Sequence, residues 1–334
     1  MEFPFPVLLC DTGGTNARFS LVAARGARPE HDVDLKTHNF PAFEDALSVA
    51  VESLNAKPRS LIVCAAGPVD RHAVRLTNAA WTIDGAEIAV KAGLDQGLLL
   101  NDFEAQAFSL PFIEPTWTKP IGPPVPSIPG VQLILGLGTG LGVAALLNVA
   151  GRFFALSSEA GHMDFGPLSA EEGAIWAHLD TGSLGRGRVS AESVLSGPGL
   201  LRLHLARCAA HGAATAITSE IALIEVARGS PGGDEAATLR LCWALAARFA
   251  GDLALAYLAK GGVTLAGGIL PRIAQFCEPV PFRAAFEDKA PYNELLRGIG
   301  TRLIDAENTV FAGMAAIAAA PQDFAIDYAS RLWR

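Results

Sequence analysis

The sequence predicts an α/β protein whose two halves open alike, and three observations carry that reading. Apolar runs of strand length alternate with segments whose apolar residues recur at helical spacing. A strand, a glycine turn and a second strand stand near Asp11 and again near Gly136, about 125 residues apart. The length, 334 residues, suits two ordinary domains or one large α/β unit.

Taken in order, Val7 to Cys10 is a short apolar run, Thr12 to Asn16 a turn, and Ala17 to Ala23 an alternating run, hence strand, tight turn and strand. From Phe43 to Leu54, residues Ala46, Leu47, Ala50, Val51 and Leu54 fall on one helical face. Ser60 to Ala66 reads as a buried strand stopped by Gly67-Pro68, and Leu98 to Leu100 as the centre of another. Behind it, Asn101-Asp102 can cap a helix reaching Ser109, with Glu104 in its first turn. Pro111 to Pro129 holds seven prolines in nineteen residues. Proline fixes φ and removes a backbone donor, so this stretch reads as a connector near a domain boundary.

Val131 to Leu135 and Val143 to Val149 then repeat the strand–turn–strand unit around Gly136 to Gly142. The 21 residues from Val131 to Gly151 carry no charge and could span a bilayer by length. Five glycines, Gln132, Thr139 and Asn148 interrupt them and no basic flank borders them, so two strands are expected and no membrane span. Helices dominate from Ala191 to Ala259. A strand from Gly262 to Ala266 runs into Gly267-Gly268 and a helix near Pro271, and Val310 to Ala319 is the last strongly apolar helix.

Composition removes several classes of function. Lys plus Arg number 26 against 34 Asp plus Glu, a net charge of -8, which disfavours nucleic-acid binding through clustered basic residues. The five cysteines, at 10, 64, 208, 242 and 277, are odd in number, scattered and without a C-x-x-C pair. Neither a disulfide framework nor a zinc site is expected, and a reducing cytoplasm fits. The residues MEFPFPVLLCDTGG lack the basic and long apolar regions of a signal peptide. The 34 glycines are about a tenth of the chain, above the usual ~7%, and they cluster.

Three of those clusters follow apolar strands: Asp11-Thr12-Gly13-Gly14-Thr15-Asn16, Gly136 to Gly142 with Gly138, Thr139 and Gly140 at its centre, and Leu265-Ala266-Gly267-Gly268. Glycine lets the backbone reach positive φ and approach a ligand closely, and successive N–H groups there form anion-binding nests. Any one could be an ordinary tight turn; three on strand ends point to a nucleotide. Neither the G-x-x-x-x-G-K-[ST] nor the G-x-G-x-x-G pattern is present, and the first two turns contain no lysine. Backbone N–H groups and a bound Mg²⁺ would have to meet the phosphate charge, with Asp11 a plausible anchor for the metal through water.

Asp102 is the leading catalytic carboxylate, since it ends a buried strand where ligands collect in α/β sheets and an attacking alcohol needs a base. A plain helix cap is the competing reading for it. In Ser157-Ser158-Glu159-Ala160-Gly161-His162 a carboxylate and an imidazole stand three residues apart and could share a polyol; a lone surface histidine is the alternative. Glu192, ahead of Ser196-Gly197-Pro198-Gly199, is either another acceptor or a solvated first-turn glutamate. His178 and His204 fall in helical stretches and read as structural.

In order and spacing these segments resemble the bacterial ATP-dependent glucokinases, of the sugar-kinase, actin and heat-shock ATPase superfamily, over nearly the whole chain. CDTGGTNARFSLV resembles the first phosphate loop, LTNAAW a substrate-side segment, LLLNDFEAQAFSLP the catalytic aspartate region and LGLGTGLGVA the second phosphate loop. SSEAGHMDF and VSAESVLSGPGL resemble the sugar-binding segments, VTLAGGILPR the adenosine segment, and FRAAFEDK is typical of the family.

The resemblance implies a two-domain actin-like (ribonuclease H-like) α/β fold with the active-site cleft between domains: a small domain of residues 1–113 and 307–334, and a large one of 114–306. It implies transfer of the ATP γ-phosphoryl group to the 6-hydroxyl of glucose, with Mg²⁺, in a cytoplasmic homodimer. Asp102 matches the general base, and Asn101, Glu159, His162 and Glu192 match sugar ligands. Cys10, Asp11, Thr12, Gly13, Gly14 and Thr15 match the first phosphate loop, Gly138, Thr139 and Gly140 the second, and Gly267 and Gly268 the adenosine segment. Cys10 and Ala160 stand where glycines are common, which implies altered packing. No Cys-rich zinc signature follows His162, which sets the chain apart from the repressor/kinase branch. A kinase for another hexose, such as mannose, fructose or an N-acetylhexosamine, is the nearest alternative. A sugar sensor or chaperone-like ATPase on the same fold is the other.

Overall fold

The computed structural model describes residues 2–76, 79–182 and 187–334. Fifteen strands and eleven α-helices are formed by the described residues. The first sheet opens with β1 (Val7–Thr12), β2 (Asn16–Val22) and β3 (Glu30–Lys36). Helix α1 (Phe43–Ser53) leads to β4 (Ser60–Ala65), whose six residues are all buried. A small three-stranded sheet follows, made of β5 (Val69–Asp70), β6 (Ala73–Arg75) and β7 (Thr82–Asp84). Then come α2 (Gly85–Ala92), β8 (Gln96–Asn101) and α3 (Asp102–Ser109).

The proline-rich stretch contains a strand after all. Strand β9 (Thr118–Pro120) pairs antiparallel at a sheet edge, where a proline's missing N–H costs no ladder bond. The uncharged stretch is two strands, β10 (Gln132–Leu137) and β11 (Leu141–Val149), joined by a three-residue turn and followed by β12 (Arg152–Ser158). No helix among the described residues is long and apolar enough to cross a membrane.

Helices α4 (Ala170–Trp176), α5 (Gly197–Ala210), α6 (Glu220–Gly229) and α7 (Asp234–Tyr257) precede β13 (Gly262–Ala266). The helix expected near Pro271 is a 3-10 helix, Pro271–Phe276. After α8 (Pro279–Glu287) and α9 (Asn293–Arg297) come β14 (Thr301–Ile304) and α10 (Val310–Ala319). The chain ends with α11 (Tyr328–Arg331) and β15 (Leu332–Trp333).

The first sheet has the order β15-β8-β4-β1-β2-β3 and the second β12-β11-β10-β13-β14-β9. Each therefore places its first three strands as a meander, its fourth beside the first, its fifth beyond, and one added strand outside the fifth. In the first sheet β1, β4 and β8 are parallel, β2 runs antiparallel between β1 and β3, and β15 is antiparallel to β8. In the second, β10, β13 and β14 are parallel and β9 antiparallel. Parallel neighbours buried on both faces explain why VLLC, SLIVCA and QLILGL are near-continuous apolar runs.

The chain groups into two compact units. One holds Met1–Trp117, Ala144–Ser157 and Ala306–Arg334, the other Thr118–Val143 and Ser158–Asp305. In the first unit, Phe43 packs tilted against Phe19 and edge-on to Trp81 in the core with residues of β1 and β4, and α1 supplies Ala46, Leu47 and Ala50. In the second, α7 buries fourteen residues, Trp243 packs edge-on to Phe282 of α8, and its indole N–H donates to the Ile273 carbonyl at 3.0 Å.

Candidate active site

In the first unit, alternation along β1 separates two jobs. Leu8 and Cys10 face the core with Phe19, Leu61 and Val63, so Asp11 emerges on the opposite face. Cys10 is fully buried, which leaves only its backbone toward any ligand. The Asp11 carboxylate accepts the Cys64 thiol at 3.3 Å and lies 3.7 Å from Arg18. Burial pushes its pKa up, opposed by the Arg18 charge and the Cys64 bond. The following turn is held by its carbonyls: Gly13 N–H donates to Asn16, Thr37 N–H to Thr15, and the Thr37 hydroxyl to Gly14. The Thr12 hydroxyl is buried and has no partner among the described residues.

Strand β8 carries the second element, with Asn101 paired across from Ala65 of β4. Asn101 is the N-cap of α3. Its Oδ1 accepts from the N–H groups of Phe103 (3.1 Å) and Glu104 (3.2 Å), and its Nδ2 donates to the Gly67 carbonyl (3.2 Å). The capping role that competes with catalysis at Asp102 is thus performed by its neighbour. Asp102, the first residue of α3, is partly buried. Burial, then the charge of Asp11, push its carboxyl up to about 7, against hydrogen bonds from Phe103, its own amide and the Asn101 side chain. A partly exposed carboxyl near 7 at a strand end has the proton affinity of a base working at neutral pH.

In the second unit the other two glycine turns meet. Gly267 has φ +91, and a Cβ there would lie 2.3 Å from the Leu137 carbonyl oxygen, so only glycine allows the approach. Ile269 N–H donates to that same Leu137 oxygen at 3.1 Å. The Gly138 carbonyl accepts from Gly197 N–H at 2.8 Å, which brings the start of α5 to the turn. Side chains at Gly13, Gly138 and Gly268 would meet nothing within 4 Å, so all three turns are open. Thr15 and Thr139 are exposed on them.

Glu192 is no solvated first-turn residue: it lies before α5, whose N-cap is Ser196. Its Oε2 accepts from Leu141 N–H at 2.8 Å, and its own N–H donates to the Gly161 carbonyl at 2.8 Å. A Cβ at Gly140 would stand 2.6 Å from that Oε2, and one at Gly161 2.2 Å from the Leu141 carbonyl oxygen. Both glycines let Glu192 dock on the turn. His162 faces Glu159 (Nε2 to Oε2, 3.8 Å) and Glu192 (Nδ1 to Oε1, 4.0 Å), so the three predicted polyol contacts form one group. Ala160 is buried in the 3-10 helix Ala160–His162. His204 is structural, bonded at 3.0 Å to both Thr238 and Thr215, whereas His178 is exposed just past α4.

The structure therefore assembles Cys10 to Thr15 with Asn101 and Asp102 in the first unit. It assembles Gly138 to Gly140, Gly267, Gly268, Glu159, His162 and Glu192 in the second. Thr77 and Asn78 of the LTNAAW segment lie outside the described residues. Sequence reading missed Cys64, Arg18 and the Glu192 bond to Leu141, all contacts between residues far apart in the chain. For the start of α5 the signal was present, a serine cap with proline in the first turn.

The open turns and the orphaned Thr12 hydroxyl fit a polyphosphate. Among the described residues no group of three or more His, Cys, Asp or Glu side chains is placed to hold a metal. That fits Mg²⁺ taking one or two carboxylates and completing its shell with water and phosphate.

A sequence model of the family described as Glucokinase matches residues 8–321. The glucokinase of Agrobacterium fabrum is 38% identical over 331 residues, covering 99% of this chain and 96% of the relative. That of Brucella suis is 36% identical, covering 100% and 96%. Among solved structures, a glucokinase from an Antarctic psychrotroph aligns with a TM-score of 0.82 at 28% identity, covering 95% of this chain and 100% of that one. A Balamuthia mandrillaris glucokinase in complex with glucose aligns at 0.79 and 20% identity, covering 93% of each, and shows the fold alone. Agreement at this identity over full-length relatives leaves one assignment: the chain belongs to the glucokinase family, ATP-dependent sugar kinases of the two-domain actin-like fold.

Proposed function

We propose that the chain transfers the γ-phosphoryl group of ATP to the 6-hydroxyl of glucose, with Asp102 as general base. The observation that carries the role of Asp102 is its release from capping by Asn101, together with a carboxyl pushed up to about 7. Asp102 takes the hydroxyl proton as O6 attacks the γ-phosphorus. The O6–P bond forms, the bond to the β–γ bridging oxygen breaks, and ADP leaves. Glu159, His162 and Glu192 hold sugar hydroxyls, and Asn101 is the fourth sugar ligand. The turns Gly13 to Thr15 and Gly138 to Gly140 face the phosphates, offering the N–H groups of Gly14, Thr15, Thr139 and Gly140, with the Thr12 hydroxyl beside them, and Gly267 and Gly268 leave room for the adenosine. Mg²⁺, anchored through water to Asp11, would neutralise charge on the phosphates.

The division into residues 1–113 with 307–334, and 114–306, is proposed as the functional one. A cytoplasmic location is supported by five free cysteines. A homodimer is supported by the exposed apolar residues Leu147, Val149, Phe154 and Leu156 along β11 and β12, and is checked by light scattering. The test of the activity is ADP release by the purified protein against a panel of hexoses, with and without Mg²⁺. Turnover that depends on glucose supports the reading, and turnover indifferent to sugar overturns it. Asp102→Ala with near-full turnover would remove the base assignment and leave the kinase.

A further inference from the structure

The last fourteen residues carry none of the family motifs, yet they reach the head of the catalytic helix. Glu104, two residues beyond Asp102, is 8% exposed. A carboxylate so buried requires a countercharge. Arg331 supplies it: its Nη1 donates to both Glu104 oxygens, at 2.8 and 2.6 Å. Glu104 Oε2 also accepts the main-chain N–H of Asn101 at 3.3 Å, and Asn101 accepts the Glu104 N–H in return, a capping box that closes the start of α3. One chain of bonds thus runs from Arg331 through Glu104 to the main-chain N–H of Asn101, in the peptide unit just before the one that joins Asn101 to Asp102.

The tail is seated to deliver that guanidinium. Leu332 and Trp333 add β15 to the edge of the first sheet, opposite Leu98 and Gly97 of β8. A Cβ at Gly85 or Gly97 would come within 2.2 and 2.1 Å of the Trp333 ring, so these two glycines form the recess that receives it. Asp327 caps α11 by accepting from Ser330, and Tyr328 donates its hydroxyl to the Pro321 carbonyl at 2.8 Å.

We propose that Arg331 is a positioning residue for the base: acting through Glu104, it fixes Asn101, main chain and capping side chain, and so places the adjoining Asp102 at the head of α3. This rests on Asp102 being the base. Losing the guanidinium frees Glu104 to leave its capping position, and the carboxylate of Asp102 shifts relative to the sugar hydroxyl. Misplacement of a reacting group by about 1 Å is enough for a large rate loss.

The test compares Arg331→Met, Arg331→Lys and Asp102→Asn, singly and with Arg331→Met added to Asp102→Asn. All are assayed well below their melting temperatures. Arg331→Met is expected to lower kcat about tenfold with the KM for ATP within about twofold, and Arg331→Lys to recover most of the loss. In the Asp102→Asn background Arg331→Met is expected to change residual turnover little, because a residue acting through the base has nothing left to act on. The proposal is overturned if Arg331→Met keeps wild-type kcat, or lowers residual Asp102→Asn turnover by the same factor as it lowers the wild type. Should Arg331→Met fail to fold, Glu104→Gln replaces it, because Trp333 still seats the tail. The same pattern is then required, and unchanged kcat overturns it. Near-full turnover of Asp102→Asn itself would instead remove the base assignment.

Discussion

Asp102 and Asp305 occupy matching places in the two sheets: each follows the fifth strand, β8 in one and β14 in the other. Outside each fifth strand lies an added antiparallel segment that brings one cation to that end. In the second sheet it is Lys119 of β9, which pairs with Asp305 directly. In the first it is Arg331, the last residue of α11 just before β15, and it pairs with Glu104. Asp102 has no cationic partner among the described residues, and after burial it is the charge of Asp11 that pushes its pKa up. The same topology thus yields a neutralised aspartate on one side and an unpaired one on the other. The difference teaches that one topology can leave the carboxylate after the fifth strand with or without a counterion, and the proposed base is the one without.

Removing the unpaired carboxylate should have the largest effect. Asp102→Asn is expected to reduce kcat by about 10²–10⁴, the usual contribution of a general base, with glucose binding retained. Steady-state kinetics beside calorimetric glucose titration check this. Retained turnover would make the two aspartates alike.

Next in size is the edge that carries Arg331. Trp333→Ala should destabilise the fold by about 3–5 kcal/mol, since the indole fills the recess over Gly85 and Gly97. Chemical denaturation monitored by circular dichroism measures it. A loss under about 1 kcal/mol would show that the tail sits loosely and would weaken the contrast between the edges.

The ionisation of Asp102 gives two further outcomes. A base must be ionised, so kcat/KM, which follows the ionisation of the free enzyme, is expected to rise with pH with a midpoint near 7, where an ordinary aspartate would give one near 4. Asp11→Asn removes the like charge and should move that midpoint down. Stability runs the other way. The folded pKa is above the unfolded one, so ionising Asp102 costs the folded state stability progressively from about pH 4 to 7 and by a constant amount above. Asp102→Asn should therefore be more stable than wild type by about 1–2 kcal/mol at pH 8 and no more stable at pH 3.5, checked by melting curves at both pH values.

Much of this was readable in the chain because the elements that matter are local. A glycine turn between two apolar runs announces itself, and so does Asn101-Asp102-Phe103-Glu104 at the start of a helix. The capping box shows as an asparagine followed three residues later by a glutamate. What the sequence left unread depends on pairing across distance. Strand β3, EHDVDLK, is an edge strand with polar residues on its free face, so it shows no apolar run. Strand β14 has four residues, and β15 has two. The role of Arg331 is set by a partner 227 positions away. Glu192 could be either an acceptor or a first-turn glutamate on local sequence, because its partner, Leu141 N–H, is 51 positions away.

The smallest effect belongs to the neutralised aspartate, and it is the sharper test of the contrast. Asp305 and Lys119 are about one-third and two-thirds exposed, so water and salt screen their attraction. Exposed pairs contribute about 0–1 kcal/mol, and Asp305→Asn should cost no more than that. It should also leave kcat and both KM values within about twofold of wild type, because Asp305 is assigned no contact with either substrate. The double variant Lys119→Met with Asp305→Asn should match the single one in stability within about 0.5 kcal/mol, as expected for a pair that matters only to itself. If Asp305→Asn instead lowered kcat tenfold with an unchanged melting temperature, Asp305 would be a second functional carboxylate. Pairing with a cation would then no longer separate the two sheets.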